Sequence, residues 1–221
     1  MDWQALALSL HLGLWTVLLL IPFGAWVARA LAYHRFPGKG LVEALLTLPL
    51  VLPPTVLGYY LLVGLGQGSW LGRAAAELFG RPLVFTFEGL VLASLIVNLP
   101  FAIQPMQRAF EAIPRELREA AACCGMPGWR ILLRIELPLA WPGMLTALTL
   151  TFAHTLGEFG VVLMVGGAIP GETKTLALAI YDRVQAFDDL AAGRMAALLL
   201  AVSLATIALT TLLTRRVGQK A

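Results

Sequence analysis

Five long apolar runs, separated by shorter polar stretches, set the pattern of this chain. They cover residues 5–28, 44–65, 89–104, 138–157 and 195–214. Each approaches or exceeds the ~20 apolar residues that cross the hydrocarbon of a bilayer as a helix. The pattern predicts an all-α polytopic membrane protein, a single domain over residues 1–221 with five transmembrane helices. Pro22 is an expected kink in the first span. The second span holds Pro49 and the pair Pro53-Pro54. Three prolines there predict a bent or broken helix whose freed carbonyls are satisfied by neighbours or water. Asn98 and Pro100 lie inside the third span, and a short helix is expected over 175–185, between the fourth and fifth. The start, Met1-Asp2-Trp3, lacks the basic flank of a signal peptide, so the first run is expected to be retained.

Between the third and fourth runs the pattern changes to a polar, amphipathic one, residues 108–137. Pro114 suits a helix start. Leu117, Ala120, Ala121 and Cys124 then recur at i, i+3, i+4 and i+7, an apolar stripe with Arg115, Glu116, Arg118 and Glu119 mostly off it. Gly125 stands where a helix ends in a left-handed cap, and Pro127 bars continuation. A second short helix is expected to follow, with Trp129, Leu132 and Leu133 on one side, Arg130 and Arg134 on another, and Pro138 closing it. Two short helices about a glycine hinge, held at a membrane face, make a docking knob.

Composition agrees with a membrane protein: 59% of residues are hydrophobic and 13% charged, against about 25% charged in soluble domains. The net charge of +3 matters less than its distribution. Five spans place the termini on opposite sides. One side then collects Arg29, Arg35, Lys39, Arg108, Arg115, Arg118, Arg130, Arg134, Arg215, Arg216 and Lys220; the other collects Arg73, Arg81, Lys174, Arg183 and Arg194. An excess of lysine and arginine marks the cytoplasmic side. The expectation is an N-terminus outside, a C-terminus inside and residues 108–137 in the cytoplasm.

Several chemistries are missing. In residues 166–175, GGAIPGETKT, Glu172 stands where a phosphate-binding loop needs lysine after glycine. The chain itself is therefore not expected to bind ATP. His11, His34 and His154 have no paired spacing for zinc or haem, and the adjacent Cys123 and Cys124 fit no metal or disulfide pattern. No cofactor, metal or catalytic residue is expected, and no nucleic-acid partner. A secondary transporter or membrane scaffold would show an inverted repeat, and none is evident.

The stretch Glu119-Ala120-Ala121, three residues, Gly125, nine residues, Ile135-x-Leu137-Pro138 resembles the EAA loop of the membrane subunits of ATP-binding-cassette importers at every fixed position. Residues 48–63 and 155–181 resemble the molybdate branch of that family, with tungstate and sulfate permeases sharing much of the likeness. The resemblance implies a type I importer permease architecture, a homodimer, cytoplasmic ATPase subunits and an extracytoplasmic oxyanion-binding protein. It implies ATPase coupling through Glu119, Ala120, Ala121, Gly125, Pro127, Ile135, Leu137 and Pro138.

Glu158 is the one acid inside a long apolar run, and Thr151, Thr155 and Glu158 share a helical face. Such intramembrane groups are functional candidates, and that face is expected to line the pathway. Since a carboxylate repels a divalent oxyanion, an outer gate or a hydrogen bond to a helix end suits Glu158 better than ligation. Pro53, Pro54 and Thr55 are further candidates, because broken helices cluster at transport pathways. His154 reads as a packing residue.

Overall fold

The computed structural model describes residues 1–218. Lys220, placed above on the basic side, lies outside the described residues, as do the side chains of Arg215 and Arg216. The helices are α1 (Trp3–Tyr33), α2 (Lys39–Val51), α3 (Pro54–Leu65), α4 (Trp70–Phe79), α5 (Phe87–Glu111), α6 (Arg115–Cys123), α7 (Gly128–Gly157), α8 (Gly160–Gly166), α9 (Leu176–Gln185) and α10 (Asp189–Gly218). Four of them, α1, α5, α7 and α10, are long and apolar enough to cross a membrane; α2 and α3 together make a fifth crossing element, bent by 112°.

Side-chain register gives each helix its direction. On α1 and α5 the Thr16 hydroxyl bonds Ser94, Gly24 meets Ala102 and Met106, and the Tyr33 hydroxyl donates to the carbonyl of Phe110. Both numbers rise together, so the two run parallel. On α7 the order reverses: Thr155 reaches Ser94 while Gly143 meets Pro105 and Ala109. A Cβ at Gly143 would lie 2.4 Å from that of Ala109, so only glycine permits this approach, the small-residue packing that membrane helices use.

The same logic decides what the bent pair does. Chain leaving α1 beside Phe110 must return to the opposite end to begin α5. On α2, Glu43 and Thr47 bond Gln107 and Gln104; on α3, Gly58 packs on Val161 and Met164 of α8. The pair climbs from one end to the other, so it is one broken crossing and not a re-entrant loop. Met195 of α10 packs with Ala5 and Leu176, and Thr210 lies against Thr149. Five traversals leave the N-terminus and the end of α10 at opposite ends. Arg29, Arg35, Lys39, Arg108, Arg115, Arg118, Arg130 and Arg134 gather at the end that holds α6.

The core lies between α1, α5 and α7, where Leu20, Ala28, Ile103, Met106, Phe110 and Ala140 are buried. The helices extend beyond the apolar runs: α5 continues through Pro100 and Pro105 to Glu111. The largest departure from expectation is at Pro138. It does not close a short helix. Helix runs from Gly128 to Gly157 through it, by way of a π-turn over Leu132–Glu136 in which the Leu137 N–H bonds the carbonyl of Leu132. Pro138 and Pro142 cannot donate, and a local widening of the helix is how such a break is absorbed within a bundle.

Candidate functional site

The hinge at Gly125 has the geometry its sequence position demands. Its φ is +76°. The Met126 N–H bonds the carbonyl of Ala121 at 3.1 Å, and the Gly125 N–H bonds that of Ala122 at 2.9 Å. This pair of bonds is the Schellman termination, which satisfies carbonyls the helix end would otherwise strand. A Cβ at Gly125 would meet no atom within 4 Å, so the requirement for glycine is conformational and not steric. Pro127 then caps the start of α7, its carbonyl accepting from the N–H groups of Arg130 and Ile131.

Helix α6 turns its apolar stripe outward. Leu117 is 48% exposed, and Ala120 and Cys124 are also exposed, with only Ala121 of the stripe buried. Glu119 is exposed too and pairs with Arg115 one turn earlier on the same helix, at 2.5 Å. Of the other residues carried by the resemblance, Pro127 and Pro138 are exposed, and Ile135 and Leu137 are half-buried at the start of the crossing. The outer surface of the knob thus presents small and apolar residues beside the Glu116 and Glu119 carboxylates.

Its inner face is different, and sequence reasoning missed it. Glu136, the unspecified position before Leu137, is fully buried. The Arg29 guanidinium of α1 holds both its oxygens, Nε to Oε2 at 2.5 Å and Nη2 to Oε1 at 3.3 Å. The Nε of Arg118 on α6 donates to Oε1 at 2.9 Å. The Arg118 guanidinium carbon also sits 3.4 Å from the centre of the Tyr33 ring, a cation–π contact. These groups floor an open cavity of about 810 Å³, which Arg35, Arg115 and Glu119 also line. The π-turn puts Glu136 there. A signal existed: Glu136 is an acid set among Ile135, Leu137 and Pro138, and Arg29 directly follows a span without Asp, Glu, Lys or Arg.

A second polar site crosses the bundle interior. Asn98 Nδ2 donates to the Ser94 carbonyl at 2.8 Å and to the Thr155 hydroxyl at 3.1 Å. His154 Nδ1 lies 3.1 Å from Asn98 Oδ1, its ring stacks on Phe101, and its Nε2 is 3.7 Å from Glu158. Glu158 Oε1 accepts from the Val161 N–H at 2.9 Å, at the head of α8. The expected shared face of Thr151, Thr155 and Glu158 is therefore turned into the subunit: all three are buried. Thr155 and Glu158 have partners there, whereas Thr151 Oγ1 has none among the described residues. Pro53, Pro54 and Thr55, by contrast, are exposed. They lie where the break between α2 and α3 meets the break between α7 and α8; a Cβ at Gly160 would come within 2.8 Å of Pro54. Among the described residues no cluster of histidine, cysteine and acidic groups could hold a metal.

Residues 20–219 match the family model of the binding-protein-dependent transport system inner membrane component. The chain is 47% identical over 187 residues to the molybdenum transport system permease protein ModB of Azotobacter vinelandii, covering 85% of this chain and 83% of that one. It is 40% identical to ModB of Escherichia coli K12, over 83% of this chain and 80% of that protein. The sulfate transport system permease CysW of Synechococcus elongatus is 34% identical, over 98% of this chain and 76% of its own. Among solved structures, the fold matches a bacterial alginate ABC importer with a TM-score of 0.79 at 19% identity, over 96% of this chain and 78% of that one. It matches the inward-facing methionine transporter MetNI with a TM-score of 0.69 at 18% identity, over 98% and 94% of the two chains. The chain belongs to the family of inner-membrane components of binding-protein-dependent transport systems, a multi-pass transport subunit and not an enzyme.

Proposed function

We propose that this chain is the membrane permease of an ATP-driven molybdate importer. It works as a homodimer, with its N-terminus outside and the end carrying α6 in the cytoplasm. Separate ATPase subunits dock on α6, and an oxyanion-binding protein delivers cargo at the opposite end. The observation that carries this reading is the outward face of α6. A helix with small and apolar residues exposed, fixed at its end by the Gly125 cap, protrudes from the basic end of the bundle. Molybdate as cargo is supported by the identity to two molybdenum permeases, higher than that to the sulfate permease.

The exposed Pro53, Pro54 and Thr55 line the pathway in this reading. Thr151, Thr155 and Glu158 brace it from behind, where Glu158 holds the head of α8. No lysine or arginine occupies the central turns of the five crossings, so discrimination among oxyanions falls to the binding protein. The test is uptake in vesicles with binding protein on one side and ATPase on the other. We expect ATP-dependent molybdate accumulation, with Cys123 and Cys124 labelled by an impermeant maleimide from the ATPase side only before the ATPase is added. Sulfate uptake with molybdate excluded would overturn the cargo, and labelling from the other side the orientation.

A further inference from the structure

The root of the docking helix is chemically unlike its surface. Glu136, Arg29 and Arg118 come from three separate segments, α7, α1 and α6. Sequence distances of 107 and 18 residues separate the arginines from the glutamate. The exposed salt bridges around it at this end of the bundle are local: Glu119 pairs within its own helix, as do Lys39 with Glu43 and Arg108 with Glu111. Glu136 has no exposed surface, and its two oxygens accept three N–H donors. Charge-assisted, partly bidentate contacts of this kind are directional and resist sliding. A buried charge pair is poor evidence for added stability, and its best-attested use is to fix register between elements.

We propose that Glu136 is the positioning residue of energy coupling: the Arg29–Glu136–Arg118 joint makes α6 move as one piece with α1 and the start of α7. The inference rests on the reading of α6 as the ATPase dock and adds the route by which its motion enters the bundle. Apart from this joint, α6 buries a single apolar residue, Ala121. The apolar grip on α6 is therefore slight, and a push on its outer face would otherwise tilt it against α7. With the joint closed, Arg118 carries that push to the Glu136 carboxylate, and Arg29 passes it to α1. The Tyr33 ring against Arg118 keeps the guanidinium from swinging into the cavity.

The experiment compares the reconstituted transporter with variants Arg118→Gln and Glu136→Gln, measuring ATPase affinity, ATP turnover and cargo moved per ATP. Arg118→Gln is the milder cut, because Glu136 keeps Arg29 and no buried charge is stranded. For both variants we expect ATPase affinity unchanged and cargo per ATP reduced by about 5- to 150-fold, the span of ordinary coupling energies. Arg118→Lys, which keeps a cation within reach, restores part of it. A merely structural role would instead lower thermal stability and ATPase binding together, with Arg118→Lys no better than Arg118→Gln. Wild-type cargo per ATP in Arg118→Gln would overturn the proposal; should Glu136→Gln not assemble, that result alone decides. Failure of the functional reading itself looks different, since the unmodified chain would then show no ATP-driven uptake at all.

Discussion

Of the four glutamates in residues 108–137, Glu119 and Glu136 have opposite surroundings. Glu119 is 58% exposed on its side chain and bonded to an arginine one turn away; Glu136 is fully enclosed and bonded to arginines of two other segments. The first is a surface group. Its pair contributes at most about 1 kcal/mol, since water screens it and two long side chains must be ordered. The second is fully buried, and only the loss of both arginines would strand its charge, a change that costs roughly 3–5 kcal/mol in a buried pair. One end of the loop is therefore built to meet another protein and the other to be held by its own. In the proposed function the difference separates two tasks of the loop: binding the ATPase and passing on its motion.

The hinge between those ends offers the larger perturbation. Gly125→Val places a β-branched residue at φ +76°, where a side chain costs roughly 1–2 kcal/mol. No neighbouring atom is in the way, so the bundle should assemble with its thermal stability little changed. The cap would unwind instead, and the angle between α6 and α7 with it. We expect ATPase binding to survive weakly and uptake to be lost. Gly125→Asn separates strain from shape, because asparagine tolerates the left-handed region; it should keep most uptake, and an equal loss would show that glycine matters here for another reason.

Glu119→Ala is the smaller change. It removes an exposed pair, so the melting temperature should stay within error of the unmodified protein. Co-purification of the ATPase should weaken, while the fraction that stays bound keeps its cargo moved per ATP. A drop in that ratio would move Glu119 from the binding face to the transmitting root and erase the distinction.

What the sequence made legible follows the same divide. Gly125 announced itself because a positive φ restricts residue type, and the short helix at Leu176–Gln185 was visible within a residue. Local rules govern both. Pro138 was misread as a stop because the rule that proline ends a helix assumes solvent on the other side; within a bundle a π-turn absorbs the missing donor. Arg118 seemed merely off the apolar stripe of α6. Periodicity identifies faces but cannot say which one turns inward, and here the inward face is the one with the arginine, because Glu136 waits there. The same limit holds for Thr151 and Thr155: their spacing marks a shared face, and the structure buries both, with Thr155 bonded to Ser94 and Asn98.

The claim that the root of the loop transmits while its surface binds can be tested by watching both move. Spin labels at Ala122 and at His34, both exposed, report α6 and the end of α1 across the dimer, in a background where Cys123→Ser and Cys124→Ser remove the two exposed native thiols. With the ATPase bound, adding ATP should shift the distances between both label pairs in the unmodified joint. In Arg118→Gln the Ala122 pair should still shift and the His34 pair should not. If the His34 pair moves as far in Arg118→Gln as without it, motion enters the bundle by another route and the joint is not the transmitter.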